Sequence, residues 1–373
     1  MNPRLAGVLL AIVLLLPGCS RRNRAVEVDP GAFSWTTVQG DLRRAGTEHE
    51  AVPGNPSVAW TVDIGRGLKS QPVVRQGVLL VAASNRLVAA YSAHTGDRFW
   101  EQRPNASISG GVVWRSDTLW VATETLAGRA MALELTKGDD FWERDVGPAS
   151  HPPLLVGSRL YLATDDGSLS ALDAATGEPA WRTRLPGGVG GTPVPHGRSI
   201  VAVGARDTIY VLEPEEGDIT GRMAIPRAAS ALPALRGDLL LLPLRGGGLA
   251  AVDLALGEVR WSAEVGTDIL ATPVIAEDGT AYVLTTSAEV WRVAPEAREP
   301  VRIAELGGAS RGSLTLVDGG LLVGRLDGAL FFLDRSGREL WRRDLGGSIF
   351  APVAVAEQAI FVPLLDGRLS KLE

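Results

Sequence analysis

The sequence predicts an all-β protein, an eight-bladed β-propeller of four-stranded antiparallel blades. Three markers sharing one period of about forty residues predict it: a tryptophan, a proline ahead of an apolar pair, and a turn glycine. Trp60, Trp100, Trp142, Trp181, Trp261 and Trp341 stand 40, 42, 39, 80 and 80 residues apart, and the two double intervals leave vacant registers at Gly221 and Val301. The proline recurs as Pro72, Pro153, Pro193, Pro233, Pro273 and Pro352, with Gly111 and Ser313 in the remaining registers. The turn glycine recurs as Gly96, Gly138, Gly177, Gly217, Gly257 and Gly337, and only Glu296-Ala297 is degenerate.

Within one unit the elements follow from local patterning. Pro153 to Val156 and Leu160 to Thr164 are apolar runs separated by Gly157-Ser158, which reads as two strands and a tight turn. Asp165-Asp166-Gly167-Ser168 has hairpin chemistry, Leu169 to Asp173 alternates as a third strand, and Thr176-Gly177 turns the chain into a fourth, Pro179 to Leu185, which carries the tryptophan. A sheet of four short strands has two apolar faces and buries neither alone, so such units stack face to face until the ring closes. The tryptophan is a plate for that stacking, and its indole N–H calls for a carbonyl partner from a neighbour.

Eight inner three-stranded units begin near residues 71, 110, 151, 191, 231, 271, 311 and 350, but only seven are followed by an outer strand. The unpaired outer strand, Ser57 to Val62, precedes the first unit. It is therefore expected to complete the last blade, which removes an open sheet edge.

Composition agrees with a folded body. Of 373 residues, 45% are hydrophobic and 21% charged, and 44 glycines, about 12% against the usual ~7%, imply many short elements and frequent turns. The 37 basic and 43 acidic residues leave a net charge of -6 with no block of like charge, which argues against a nucleic-acid partner. The single cysteine, Cys19, excludes an intramolecular disulfide or a thiolate metal cluster within one chain.

Arg4 is followed by an apolar run from Leu5 to Leu16, which suits a signal peptide and is too short to span a bilayer. The run ends Leu16-Pro17-Gly18-Cys19, which resembles the lipobox of bacterial lipoproteins and implies a lipid on Cys19, with Ser20 pointing to the outer membrane. The expected organisation is a signal peptide over 1–18, a lipidated tether and lead-in over 19–52, and the propeller over 53–373.

The string from Leu160 to Trp181 closely resembles the PQQ-like repeat, over about 320 residues of the chain. On a lipoprotein signal, an eight-bladed PQQ-like propeller is similar to the BamB family, accessory lipoproteins of the outer-membrane β-barrel assembly machinery. The lead-in Trp35, Gly40-Asp41, Arg44 and Gly46 is similar to one found in other PQQ-like repeat proteins. The resemblance implies a lipid-anchored protein on the periplasmic side of the outer membrane, a non-catalytic scaffold without a cofactor, and a monomer within a larger complex. Its partner would be the barrel-assembly core protein or another envelope protein. Two alternatives share the repeat: a protein binding carbohydrate or another envelope ligand in its central funnel, and a quinone-dependent dehydrogenase using Ca²⁺. The dehydrogenases are generally longer, and many carry an adjacent-cysteine disulfide that this chain lacks.

Other chemical motifs fail in context. Gly308-Ala309-Ser310-Arg311-Gly312 fits the G-x-S-x-G hydrolase string but leads into an inner strand rather than a helix. Gly187-Gly188-Val189-Gly190-Gly191 and Gly246-Gly247-Gly248 lack the Lys-Ser/Thr and helix of a phosphate loop. His49, His94, His151 and His196 have no ligand spacing, and Asn105-Ala106-Ser107 is a sequon on a loop. One pattern points outward. The turns between second and third strands share one rim and carry Arg86, Arg129, Arg206 and Arg245 in repeats one, two, four and five, with Asp327 and Asp366 in seven and eight. These four arginines are the candidate partner-binding residues, suited to an acidic protein edge.

Overall fold

The computed structural model describes residues 50–373 apart from 126, 127, 296, 298 and 313, together with the backbone of Ser34 and Trp35. Eight antiparallel sheets form the ring, and within each we label the strands a, innermost, to d, outermost. Blade 3 serves as the type: a is Leu154–Val156, b Arg159–Ala163, c Ser168–Asp173 and d Pro179–Arg184. Blades 1, 2 and 4 to 7 repeat this order along the chain.

The predicted closure is observed. Blade 8 takes a, b and c from Ala354–Ala356, Ala359–Pro363 and Arg368–Leu372, and its d strand from Val58–Asp63, with Trp60 opposite Lys371 and Val62 opposite Leu369. Ser57 and Glu373 exchange backbone hydrogen bonds at 2.7 and 3.0 Å, so both chain ends lie in one sheet. The segment ahead is stitched to blade 7: Trp341 Nε1 donates to Pro53 O at 3.1 Å and Arg343 Nε to Pro56 O at 2.7 Å. Ser34–Trp35 pairs with the a strand of blade 1, Ser34 opposite Arg75 and Trp35 opposite Val74, on that blade's axial edge.

Burial follows strand position. The b and c strands pack on both faces, so they read as continuous apolar runs: Leu239–Leu244 and Gly248–Asp253 of blade 5 are buried throughout apart from half-buried Leu239. The d strands alternate, as Glu258–Glu264 does between exposed and half-buried positions, because one face meets solvent.

The repeat tryptophan and the turn glycine form a pair across four of the blade interfaces. Trp60, Trp100, Trp142 and Trp181 donate their indole N–H to the carbonyls of His94, Leu135, Ala174 and Pro214 in the c–d turn of the next blade. The glycines of those turns, Gly96, Gly138, Gly177 and Gly217, lie on the same rings with φ of +71 to +77°, and a Cβ there would stand 2.4 to 3.0 Å from indole carbons. Each such glycine thus serves both a left-handed turn and close approach of the ring. Where Gly221 replaces tryptophan in blade 4, Gly257 of blade 5 has nothing within 4 Å of its Cβ position.

Blade 6 departs from the sequence reading. The c–d connection there spans 294–300 against 174–178 in blade 3, and the d strand, Val301–Glu305, is displaced along its partner. The tryptophan position therefore falls to Ile303, not Val301: Ile303 lies beneath Gly337 of blade 7, while Val301 is 55% exposed. The two added residues in the turn, near degenerate Glu296-Ala297, account for the shift.

Candidate functional site

Up-and-down strands place the b–c turns and the d-to-a connections at one end of the ring, and the a–b and c–d turns at the other. The first end carries the arginines singled out by sequence, and we call it the funnel face. The axial funnel opens there, a cavity of about 360 Å³. It is built by the connections leading into the a strands: Lys69 before blade 1, His151 before blade 3, Ser230 to Leu232 before blade 5, Arg311 before blade 7 and Phe350 before blade 8, with Arg245 from the b–c turn of blade 5. Pro352, one of the repeat prolines, lines the same cavity, and its ring restricts the backbone of the connection that carries it.

The four predicted arginines diverge. Arg86, with φ +65°, and Arg206 are exposed on the b–c turns of blades 1 and 4, and neither has an ion-pair partner among the described residues. Arg129 starts the c strand of blade 2 and is held by its own blade, with Nη1 2.9 Å from Glu143 and Nε 3.1 Å from Asp145, which raise its pKa further. Arg245 turns inward and lines the funnel. The structure thus does not gather the four into one patch. Sequence patterning located the turns but missed Lys69, His151 and Arg311, which lie on loops between repeats and whose proximity only ring closure creates.

Several carboxylates of this face are taken up locally. Asp166 accepts from the Thr164 hydroxyl at 2.7 Å, from Arg182 at 2.6 Å and from the Ser168 N–H at 3.0 Å, which together lower its pKa to about 2. Arg325 and Arg368 pair with Asp327 and Asp366 inside their own turns and hold both carboxyls below their usual range. Arg302 pairs with Glu289 and Glu305, and Arg227 with Glu264. Blades 2, 3, 5, 6, 7 and 8 therefore each present a neutralised pair around an axis lined by basic groups.

Ser310 of the hydrolase-like string is 2% exposed, and its hydroxyl donates to Gly324 O at 2.7 Å. It anchors the b strand of its own blade. His196 reaches Asp238 at 2.8 Å across the blade 4 and 5 interface, and His94 Nδ1 lies 3.8 Å from Glu357. Among the described residues no group of three or more His, Cys, Asp or Glu is placed to hold a metal ion. Cys19 and His49 lie outside the described residues.

Two further clefts lie over repeat tryptophans. One of about 260 Å³ borders Trp261 and Ala297, beside the degenerate turn, and one of about 420 Å³ borders Trp120, Phe141 and Trp142.

A closed ring of eight four-stranded blades, keyed by a Trp and Gly pair and joined by its own amino-terminal strand, defines a PQQ-type propeller. The family model described as "Outer membrane protein assembly factor BamB" matches residues 50–151, 127–288 and 277–373, and the chain belongs to this family. The outer membrane protein assembly factor BamB of Yersinia pestis is 23% identical over 392 residues, covering 94% of each chain. A quinohemoprotein alcohol dehydrogenase of Comamonas testosteroni is 30% identical over 149 residues, covering 34% of this chain and 21% of the relative. The crystal structure of BamB from Moraxella catarrhalis superposes with a TM-score of 0.71 at 18% identity, covering 86% of this chain and 98% of that one, a likeness of fold.

Proposed function

We propose that this chain is a non-catalytic protein-binding scaffold, lipid-tethered at Cys19 to the periplasmic side of the outer membrane, that serves as a BamB-like accessory factor in the assembly of outer-membrane β-barrel proteins. The carrying observation is the family match, which runs through 50–373. A rigid ring suits the role because its packed blades hold exposed turns in fixed positions for recognition. Arg86 and Arg206, exposed and without an ion pair among the described residues, are the cations offered to an acidic partner edge. Residues 1–18 would be removed and 19–52 would act as the tether.

Affinity purification of the full-length chain from detergent-solubilised envelope tests the reading. Recovery of the barrel-assembly core protein is expected, and Arg86→Gln with Arg206→Gln should weaken that recovery in a salt-dependent way. Mass spectrometry of the amino-terminal peptide should find acyl chains on Cys19, and Cys19→Ala should release the protein from membranes. Absence of the core protein from the eluate, or dehydrogenase turnover on adding quinone and Ca²⁺, would overturn the assignment.

A further inference from the structure

A packed indole needs an acceptor for its N–H, and the repeat tryptophans find theirs in two ways. Trp60, Trp100, Trp142 and Trp181 donate to a carbonyl in the c–d turn of the next blade, at 2.6 to 3.0 Å. Trp341 has no such turn beside it, because blade 8 takes its d strand from Val58–Asp63. It donates instead to Pro53 O at 3.1 Å, on the segment leading into that strand. In all five cases a glycine follows the accepting residue within three positions: Gly96, Gly138, Gly177, Gly217 and Gly54.

Trp261 is the exception. It is half-buried, and its Nε1 has no acceptor among the described residues, yet is not sealed from solvent as Trp291 Nε1 is in the same interface. The c–d connection of blade 6 is the lengthened one without a turn glycine, and beside it a cleft of about 260 Å³ lies over the Trp261 ring. Leu241, Ala281 and Val293 wall the cleft, with Pro295 and Ala297 from the long connection. That volume is below the ~300–1,000 Å³ of most small-ligand sites, and it suits the few residues of a chain segment. Two exposed charged residues also line it. Arg260 pairs with Asp253, whereas Glu258 has no ion pair among the described residues, which leaves the cleft with a net negative charge.

We propose that the cleft between blades 5 and 6 is a docking site for a short segment of a partner protein that contains a glycine and a basic residue. A backbone carbonyl of the segment accepts from Trp261 Nε1, the glycine lies on the indole, and the lysine or arginine meets Glu258. Main chain fills all five equivalent places in this molecule, which is the reason to assign main chain here. Glycine is required because a Cβ on the other turns would stand 2.4 to 3.0 Å from indole carbons. The Pro53 contact shows that a segment from outside the repeat can supply the carbonyl. The site rests on this interface alone and stands apart from the barrel-assembly role.

The test is nuclear magnetic resonance of the full-length chain in detergent with nitrogen-15 at the tryptophan indoles, the Trp261 signal being assigned by its loss in Trp261→Phe. In the free protein the Trp261 N–H should exchange rapidly with solvent, while that of Trp100, 1% exposed and bonded to Leu135 O, stays protected. The probe is acetyl-Leu-Thr-Lys-Gly-amide, a copy of the blade 2 turn over 135–138. It should bind saturably at about millimolar concentration, shift and protect the Trp261 signal, and leave Trp100 unmoved. A peptide with alanine for the glycine should bind about fivefold more weakly or worse. By calorimetry, Trp261→Phe, which keeps most of the ring and loses the donor, should weaken the lysine peptide about fivefold. Glu258→Gln should remove the preference for the lysine peptide over one with glutamate in its place, and Arg206→Gln should change nothing. Protection of the Trp261 N–H in the free protein, or an unmoved signal at saturating peptide, would overturn the proposal. So would equal binding of the alanine peptide, or affinity that survives Trp261→Phe.

Discussion

The interfaces between blades 3 and 4 and between blades 4 and 5 use the same strands in the same register, but only the first has its tryptophan. Ala171 opposes Trp181 in blade 3 just as Val211 opposes Gly221 in blade 4, each followed by a bulge. At the first interface Trp181 packs on Tyr161 with ring centroids 5.9 Å apart, lies beneath Gly217 and donates to Pro214 O at 2.8 Å. Burial there pushes the Tyr161 hydroxyl up to about 12. At the second, Gly257 faces open space and Leu256 is 69% exposed, yet Val201, Ile209, Leu240, Leu242 and Val252 are as fully buried as their counterparts. The inner three strands therefore hold the ring together. The Trp and Gly pair is an outer lock that a single interface can lose without opening the circle, because continuous apolar b and c strands supply most of the buried area.

That contrast can be broken from the locked side. Gly138→Ala places a Cβ 2.5 Å from the ring of Trp100, which is 1% exposed and hydrogen-bonded to Leu135 O, so neither side can yield. Left-handed strain of about 1–2 kcal/mol and overpacking of about 1–3 kcal/mol together predict a loss of roughly 2–5 kcal/mol in urea denaturation. Gly257→Ala, in the same turn conformation but with open space above it, should lose only the backbone part, about 1–2 kcal/mol. Equal losses at the two positions would show that the glycines serve turn geometry alone.

It can also be sharpened from the open side. Gly221→Trp should install the missing plate under Gly257 and raise the thermal midpoint, with a gain of about 0.5–1 kcal/mol from the added aromatic contact. In irregular blade 6, Trp291 Nε1 is buried without a hydrogen-bond partner, an arrangement that costs about 1–3 kcal/mol. Trp291→Phe removes the donor and keeps most of the ring, so it should be neutral or slightly stabilising, unlike Trp100→Phe, which strands the Leu135 carbonyl.

The smallest expected effect compares the b–c turns of blades 3 and 4. Asp166 sits at about 2 in the folded state, below its ordinary value near 4, so its contribution is present above about pH 4 and fades as pH falls toward 2. The side chain is 45% exposed, which screens the Arg182 pair and keeps the effect below about 1 kcal/mol. Asp166→Asn should flatten the stability profile between pH 4 and 2, and Arg206→Gln in blade 4 should leave that profile unchanged.

Most of the fold was legible along the chain because its determinants are local and recur. Turn glycines, the prolines ahead of inner strands and the tryptophan plates each mark most repeats, so a gap in one is covered by another, and the surplus strand at Val58–Asp63 had one vacancy to fill. The misplacement at Val301 came from counting a period through a turn two residues too long. The partner-facing residues were harder to read. Nothing in the sequence distinguishes Arg129, which two carboxylates of its own blade hold, from Arg206, which has no ion pair among the described residues.

Sequence by itself determined the all-β class, the eight blades and the amino-terminal strand that closes them, since each is encoded in side chains that act within forty residues of one another or repeat at that interval. Tertiary structure alone decided which cations are neutralised and which meet at the axis. Lys69 and Arg311 are 242 residues apart in the chain and share one cavity only because the ring returns on itself. Electrostatic neighbourhood is set by distance in space, and a periodic sequence fixes that distance only after closure has bent the period into a circle.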